Sequence, residues 1–581
     1  MAKQKENKLE SVRHSLSHLM SMAISEIYPK VGLGMGPPIE NGFYQDYGLK
    51  ETITPEILPK LEKRMRELIK QDIKFEQHQV SFKDALNFYK HDPYKTEIIK
   101  DLKAKGKKNL SFYKSDFFDN LCAGPHVKST KEINPDAFKL TRIAGAYWKG
   151  DEKNPMLTRI YGVAFNTKKE LEEYLKIMEE AEKRDHRLLG QKLDLFHFDE
   201  QFGAGLPLWH PKGALLRQII EDYSVKEYLQ NGYQLLRTPH IARLELWKKS
   251  GHWDFYRENM YSPMEVEKEK YVVKPMNCPG HILIYNHRPR SYRDLPLRFA
   301  ELGTVYRFEK SGVLHGLTRV RGFTQDDAHI FCTPKQLSEE LVKCLKLGLK
   351  MLKSFGFKEY DIYLSTRPKK YIGALKNWEK ATSALKYALT KNNLKYQVDP
   401  GEGVFYGPKI DLKIKDSLGR AWQCTTIQVD FNLPEKFNVN YINEKGKKEQ
   451  PIMIHRALLG SIERFIGVLL EHFSGALPLW LSPVQVEIIN VGSAHRQYAK
   501  SINQQLITNN IRAQLSDENL TVSKRIREAE IQKIPYILVV GDEEIKNKTV
   551  NVRHYRRGQE NEIKVKKLIE KILREIKERV V

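Results

Sequence analysis

Arg319-Val320-Arg321-Gly322-Phe323-Thr324-Gln325-Asp326-Asp327-Ala328-His329-Ile330-Phe331 reads as a strand that begins basic and ends apolar. Glu301 to Glu309 reads as a second strand, and Lys310-Ser311-Gly312-Val313-Leu314-His315-Gly316 joins the two as an antiparallel hairpin with a long loop. Side chains alternate across a strand, so Arg307 and Glu309 share one face, and Arg319 and Arg321 share a face of the returning strand. Arginines gathered over a groove supply bidentate contacts to phosphate oxygens. The same residues also suit a hairpin edged with solvated cross-strand ion pairs.

Before the hairpin, Ala214 to Leu229 has the period of a helix, with Leu215, Leu216, Ile219, Ile220 and Tyr223 facing a core. It runs through Asn231-Gly232 into a short strand, Tyr233 to Arg237, that stops at Pro239. After the hairpin, Gly460-Ser461-Ile462-Glu463-Arg464-Phe465-Ile466-Gly467-Val468-Leu469-Leu470-Glu471 is a glycine entering a mostly apolar helix with an arginine in its second turn. An arginine on a buried helix is costly unless paired, so Arg464 is expected to point at an anion. This middle region is α+β.

The 581 residues suggest about three to five domains. Hydrophobic residues make up 41%, which excludes a wholly disordered chain. The five cysteines are odd in number and widely spaced, which excludes a disulfide framework. No apolar run is long enough to span a membrane, and the first residues lack the apolar stretch of a signal peptide. A soluble, cytoplasmic protein is expected. Lys and Arg number 97 against 73 Asp and Glu, a formal charge of +24 spread along the chain. Such a field suits a large polyanion such as RNA, or only solvated lysine faces.

Two breaks divide the chain. Lys168 to Ala181 is helical in period, with Leu171, Tyr174, Leu175 and Met178 on one stripe, and continues through Lys183-Arg184-Asp185-His186-Arg187 as a charged linker helix. Pro478 and Pro483 mark the second break. Beyond it, strands at 484–489 and 534–541, an edge-like strand at 550–553, a helix at about 496–507 and an amphipathic helix from Glu562 to Val581 make a small α/β domain. The expected divisions are 1–167, a linker at 168–190, 191–480 and 481–581.

The helix–strand ending in proline, the arginine-bearing hairpin and the Gly…Glu-Arg helix resemble the three signature motifs of class II aminoacyl-tRNA synthetases. Lys274-Pro275-Met276-Asn277-Cys278-Pro279-Gly280-His281, the opening stretch, and Met453-Ile454-His455-Arg456-Ala457 are similar to the threonyl-tRNA synthetase family, over essentially the whole chain. The resemblance implies an antiparallel class II catalytic domain flanked by helices, an N-terminal α+β editing domain and a C-terminal α/β anticodon-binding domain. It implies that L-threonine, ATP with Mg²⁺ and tRNA(Thr) are the substrates and that the chain forms a homodimer through the element ending at Pro239. Arg307 and Arg464 would contact the α- and γ-phosphates, with Glu309, Arg319 and Phe323 completing the ATP site. Met276, Gln325, Asp327, Tyr406 and Gln428 would line the threonine pocket. Cys278, His329 and His455 would hold one Zn²⁺, and three N/S ligands leave a zinc position open, as in a working site. A zinc that must bind both the amino group and the hydroxyl leaves valine, nearly isosteric with threonine, without a required ligand. His252, in Gly251-His252-Trp253, aligns with the family's base for transfer to tRNA, and a histidine beside a tryptophan also suits packing.

Serine keeps the hydroxyl and lacks only a methyl, worth about 1–3 kcal/mol, so a second sieve is expected. His14 and His18 share a helical face, and Cys122-Ala123-Gly124-Pro125-His126 adds a second pair. By spacing alone these four suggest zinc; by resemblance they are an editing site, with Lys95, that hydrolyses Ser-tRNA through a histidine-bound water, and both readings stand. Asn120 occupies a position that is usually Asp in the family, unless Asp119 substitutes by a shifted register. Asn519, Glu544 and Arg553 match anticodon-contacting positions, while Thr521 replaces a common lysine; Glu544 and Arg553 also suit an exposed turn and strand end. His14 lies so near the start that a member lacking the N-terminal ubiquitin-like domain is expected. The alternatives are a prolyl- or seryl-type synthetase, disfavoured by the Cys278/His329/His455 trio, and a non-catalytic RNA-binding relative, disfavoured by Arg307 and Arg464.

Overall fold

The computed structural model describes residues 2–49, 51–151, 153–516 and 519–580. It divides into two compact units, Met1–Glu180 and Ala181–Val581.

In the first unit, the helix Ala2–Ile27 buries Val12, Leu16, Leu19, Met20, Ala23 and Ile24, spaced three and four apart so that they fall on one face. That stripe packs in a core with Phe43, Tyr47, Leu61, Met65 and Ile160 from a five-stranded sheet and the helix Leu58–Lys70. A separate three-stranded sheet, Glu76–Val80, Leu110–Ser115 and Phe118–Leu121, carries its own small core around Phe112 and Ile99.

The second unit is built on an eight-stranded sheet, antiparallel through its centre. Leu297–Tyr306, Gly322–Cys332, Ile452–Ser461, Ala421–Asp430, Lys409–Lys415 and Tyr360–Ser365 pair in that order, with short parallel strands Gln234–Leu235 and Gln397–Asp399 at the two edges. The helices Pro211–Gln230, Leu337–Ser354, Leu375–Lys391 and Ile462–Phe473 share the large apolar core with this sheet. Within that core Asp326 accepts the backbone N–H groups of Leu458, Leu459 and Gly460 and the Tyr228 hydroxyl. Arg456 lies over the rings of Tyr228 and Tyr233, at 4.3 and 4.5 Å from their centroids. These bonds offset the cost of burying two charges.

The C-terminal part has its own five-stranded sheet, ordered Ala513–Leu515, Val486–Asn490, Tyr536–Val540, Thr549–His554 and Gly558–Lys564. It belongs to the same compact unit as the eight-stranded sheet.

Several local expectations change. The hairpin strands end at Tyr306 and begin again at Gly322, so Arg307, Glu309, Arg319 and Arg321 lie in the connecting loop. The linker is two helices, Lys168–Lys183 and His186–Lys192, because the Asp185 carboxylate caps the second by accepting the Arg187 N–H. Leu171 on the linker stripe is buried, whereas Met178 is exposed. Leu215 is likewise exposed, and the core face of its helix is Leu216, Ile220 and Tyr223. Arg464 falls in the first helical turn, since the helix begins at Ile462. Strand 549–554 is internal, because Gly558–Lys564 pairs on its far side; that strand takes residues expected to begin the last helix, which spans Val565–Glu578.

Candidate active site, metal centre and editing site

The strand register builds the catalytic cavity. His329 is paired with His455, and His455 with Gln428, so the three fall in one row across adjacent strands. Asp327 lies two residues before His329 on the same strand face, and a bulge between Gln325 and Asp327 adjusts the pairing. A cavity of about 410 Å³ opens over this row and is lined by Met276, Cys278, Arg307, Phe323, Gln325, Asp327, Tyr406, Gln428, His455 and Arg464. Residues more than a hundred positions apart thus converge as the sequence motifs require.

Arg307 lies between two rings, 5.0 Å from the Phe323 centroid and 5.6 Å from Tyr256. Its Nε donates to Pro275 O, and Arg464 Nε donates to Thr318 O. Among the described residues neither guanidinium has a carboxylate within ion-pair distance. Burial and the neighbouring Arg307 and Arg319 charges push the Arg464 pKa below its ordinary value. Two unneutralised guanidiniums in a half-enclosed cavity call for an anion. Glu309 and Arg319, by contrast, pair with each other at 3.0 Å on the connecting loop, as the solvated-pair reading expected, and do not line the cavity.

The Tyr406 hydroxyl donates to Gln428 Oε1 at 2.8 Å, and Asn277 Nδ2 donates to Asp327 Oδ2 at 3.0 Å. Cys278 begins the helix Cys278–Asn286, and burial followed by the Asp327 and Asp430 charges pushes its thiol well up. Cys278, His329 and His455 each bring one ligand atom within 4.8 Å of the others. His455 Nε2 lies 3.0 Å from Asp430 Oδ2, which leaves Nδ1 as its lone pair, and the buried His329 Nε2 has no hydrogen-bond partner. A thiol, two imidazole lone pairs and an orphaned buried nitrogen fit a zinc ion.

His252 is buried and is not among the residues that line the cavity. Its Nδ1–H donates to Ser250 Oγ at 2.7 Å, because the Ser250 hydroxyl is itself committed to Trp247 O. Nε2 is left unpartnered, and burial, then the neighbouring His455, lower the imidazole pKa to about 4. His252 is therefore a neutral acceptor at pH 7.

In the first unit a cavity of about 660 Å³ is lined by His14, His18, Lys95, Asn120 and Cys122, and His126 is reached through Cys122. His14 Nδ1–H donates to Pro125 O, and His126 Nδ1–H donates to Ser15 Oγ, whose own proton goes to Ser11 O. Both rings thereby aim an Nε2 lone pair at Cys122 Sγ, each at 3.3 Å. Burial lowers all three imidazole pKa values, that of His126 to about 2, and lowers Lys95 to about 8. Asn120 faces the site: its Oδ1 accepts the Tyr89 hydroxyl and its Nδ2 is 3.4 Å from His18 Nε2. Asp119 points elsewhere, to His78 at 3.2 Å, so no shifted register restores a carboxylate.

The C-terminal candidates are engaged locally. Glu544 caps its own helix by accepting the Gly541 N–H at 2.8 Å, and Arg553 pairs with Glu530 at 3.2 Å. Thr521 caps the helix Val522–Ile531, and Asn519 also makes a contact.

Sequence reading gave no role to Tyr256, Lys409 and Thr426 in the cavity lining, although Lys409 closes the run Phe405-Tyr406-Gly407-Pro408-Lys409 that carries Tyr406. It also missed His186, which hydrogen-bonds Glu471 at 2.6 Å and accepts the Leu317 N–H at 2.9 Å, tying the connecting loop to two helices.

The antiparallel sheet, its arginine-lined cavity and the appended α/β domain define a class II aminoacyl-tRNA synthetase. Models of the tRNA synthetase class II core domain (G, H, P, S and T), the anticodon binding domain, and the threonyl and alanyl tRNA synthetase second additional domain match residues 261–473, 485–575 and 110–161. The threonine–tRNA ligase of Sulfurihydrogenibium sp. (strain YO3AOP1) is 51% identical over 98% of this chain and 89% of its own length. That of Borreliella afzelii (strain PKo) is 48% identical over 99% of both. The crystal structure of the RNA binding domain of threonyl-tRNA synthetase from Cryptosporidium parvum Iowa II is 42% identical, covers 67% of this chain and 98% of that chain, and superimposes with a TM-score of 0.65. Prolyl-tRNA synthetase from C. parvum, at 17% identity over 68% of this chain and 78% of its own, with a TM-score of 0.53, shares the fold. The chain belongs to the threonine–tRNA ligase family, and its core joins an amino acid to tRNA at the expense of ATP.

Proposed function

We propose that the catalytic cavity activates L-threonine and that the cavity of the first unit hydrolyses Ser-tRNA(Thr). The observation that carries the reading is that His455, Gln428, Asp327 and two unneutralised arginines line one cavity, with the buried His329 in register with His455. Cys278, His329 and His455 would hold Zn²⁺, which would supply Lewis-acid chemistry toward the polar groups of threonine. Asp327, held by Asn277, accepts the substrate ammonium, and Met276, Gln325, Tyr406 and Gln428 close the pocket. Arg307 and Arg464 neutralise the α- and γ-phosphates, Phe323 stacks on adenine, and Mg²⁺ accompanies ATP. The threonine carboxylate is already a nucleophile, so fixed positive charge on the phosphoryl group does the main catalytic work. Glu309 and Arg319 join the ATP site only if their mutual pair opens.

For transfer to tRNA, His252 Nε2 accepts the proton of the terminal ribose hydroxyl. In editing, the neutral histidines orient a water at the ester while Lys95 neutralises the developing oxyanion. A metal bound by His14, His18, Cys122 and His126 is the second reading, favoured by two lone pairs converging on one thiol. Asn519, Glu544 and Arg553 contact the anticodon once their local bonds exchange. A homodimer forms through the face bearing the exposed Leu215, Leu229 and Leu235. No helix among the described residues is long and apolar enough to cross a membrane, in keeping with action in the cytoplasm.

ATP–pyrophosphate exchange with threonine, serine and valine, before and after zinc removal, tests the reading. Threonine and serine activation should depend on zinc and valine should be rejected. Valine activated as well as threonine, or no effect of chelation, would remove the metal from the proposal.

A further inference from the structure

A buried histidine ligates a metal only if its proton sits on the other nitrogen, and the fold decides where the His329 proton goes. His329 Nδ1 lies 2.8 Å from Nδ1 of His281, also fully buried. Two such nitrogens share one proton: one donates and the other accepts. His281 Nε2 is 3.0 Å from Glu301 Oε2, and a carboxylate accepts only. His281 therefore carries its proton on Nε2, leaves Nδ1 as an acceptor, and accepts the hydrogen bond that His329 Nδ1–H donates. The His329 lone pair is left on Nε2, the nitrogen without a hydrogen-bond partner, 3.7 Å from the Asp327 carboxylate.

Glu301 cannot reverse this order, because its other oxygen is committed. Oε1 accepts the Thr238 N–H at 2.8 Å and the Thr238 hydroxyl at 3.1 Å, with the Lys274 ammonium at 3.5 Å. The hydroxyl also reaches Oε2 at 2.9 Å. Glu301 stands opposite Asp327 in the strand register, so the arrangement rests on the central sheet.

We propose that Glu301 and His281 are positioning residues that set the tautomer of the metal ligand His329, acting as a relay from the Thr238 backbone to the metal centre. The inference rests on the reading of Cys278, His329 and His455 as zinc ligands. Glu301→Gln is the sharp variant, since it changes one atom and keeps the shape. The Thr238 and Lys274 donors hold the carboxamide oxygen on their side, which turns the NH₂ group toward His281 Nε2. His281 then carries its proton on Nδ1, His329 Nδ1 becomes the acceptor, and the His329 proton occupies Nε2.

The test uses the full chain stripped of metal, with zinc returned in competition with a chromophoric chelator. Glu301→Gln should bind zinc about 10–100-fold more weakly, the usual effect of losing such a partner. Glu301→Asp, shorter but still a carboxylate, should stay closer to wild type; a purely structural role gives the opposite order. Melting of the metal-free variants reports folding separately. In metal-free wild type, histidine ¹⁵N spectra should place the His329 proton on Nδ1. Wild-type zinc affinity in Glu301→Gln, or a proton on His329 Nε2 in the metal-free wild type, overturns the relay. A wild type with the expected tautomer and no zinc uptake overturns the metal reading and leaves the relay standing.

Discussion

His252 and Lys95 illustrate how far burial, as the largest cause, sets the chemistry of one side chain. His252, with its pKa held down to about 4 and its Nδ1–H fixed on Ser250, offers Nε2 as an acceptor throughout the neutral range. His252→Ala should slow transfer to tRNA about 100-fold or more, the usual contribution of a general base. ATP–pyrophosphate exchange should be unchanged, and an equal loss in both steps would assign the residue to packing. Lys95 is disfavoured as an ammonium by burial and is half deprotonated near pH 8. Its depressed pKa means that the charge is present below pH 8 and is lost above it. Ser-tRNA deacylation, corrected for uncatalysed ester hydrolysis, should therefore fall as pH rises through about 8, whereas Lys95→Arg should not show that fall. The Cys278, His329 and His455 trio and the two cavity arginines, Arg307 and Arg464, could be singled out in sequence because they stand in dense motifs, and the fold brings each set together. His281, Glu301 and Asn277 were not assigned roles, because those roles depend on pairings such as His281 with His329, fixed only by packing a helix on the sheet.

The boundary between strand Ile452–Ser461 and helix Ile462–Phe473 depends on one residue. Gly460 has φ of +80°, and a Cβ there would sit 3.0 Å from the Cys424 carbonyl oxygen. Its N–H is held by Asp326, so the backbone cannot swing away cheaply. Gly460→Ala should destabilise the chain by about 1–3 kcal/mol. It should also raise the KM for ATP, since Arg464 follows four residues on. A drop in melting temperature with an unchanged KM would confine the effect to stability. At this scale the sequence was legible for strongly periodic elements, such as 496–508 and 536–540. It misled where hydrogen bonding competes with pattern. The hairpin strands end early because Arg321 N–H is given to Gly205 O and Phe308 N–H to Asn259 O, and the loop between them is anchored by His186 and Arg464. Thr549–His554 alternates like an edge strand yet is internal, since its partner Gly558–Lys564 is polar enough to be absorbed into the neighbouring helix reading.

The expected three domains appear as two compact units, with the C-terminal sheet joined to the catalytic core. Gln532 Nε2 donates to Lys192 O, Lys212 donates to Gln532, and Arg556 donates to Ala476 O. No periodicity could have revealed these contacts, because each joins residues on separate elements. The diffuse charge of +24 is consistent with tRNA contact over both units, without a single basic tail. The N-terminal cavity belongs entirely to the first unit and the zinc-type trio entirely to the second. Chemistry at one site should therefore be removable without loss at the other. His14→Ala combined with His18→Ala replaces a half-buried and a buried ring on the helix Ala2–Ile27 and leaves the apolar stripe of Val12, Leu16, Leu19 and Ala23 intact. Threonine charging by this double variant should match wild type within about twofold, because no residue of the catalytic cavity is touched. A serine mischarge survives selection in the catalytic pocket at a rate set by one methyl, roughly 10–200-fold below threonine. Without the second sieve it should accumulate as Ser-tRNA(Thr) under serine excess, measurable by acid-gel separation of labelled tRNA. Unchanged deacylation of preformed Ser-tRNA(Thr) would place the editing chemistry outside the histidine cluster, and a parallel loss of threonine charging would mean that the two units do not act separately.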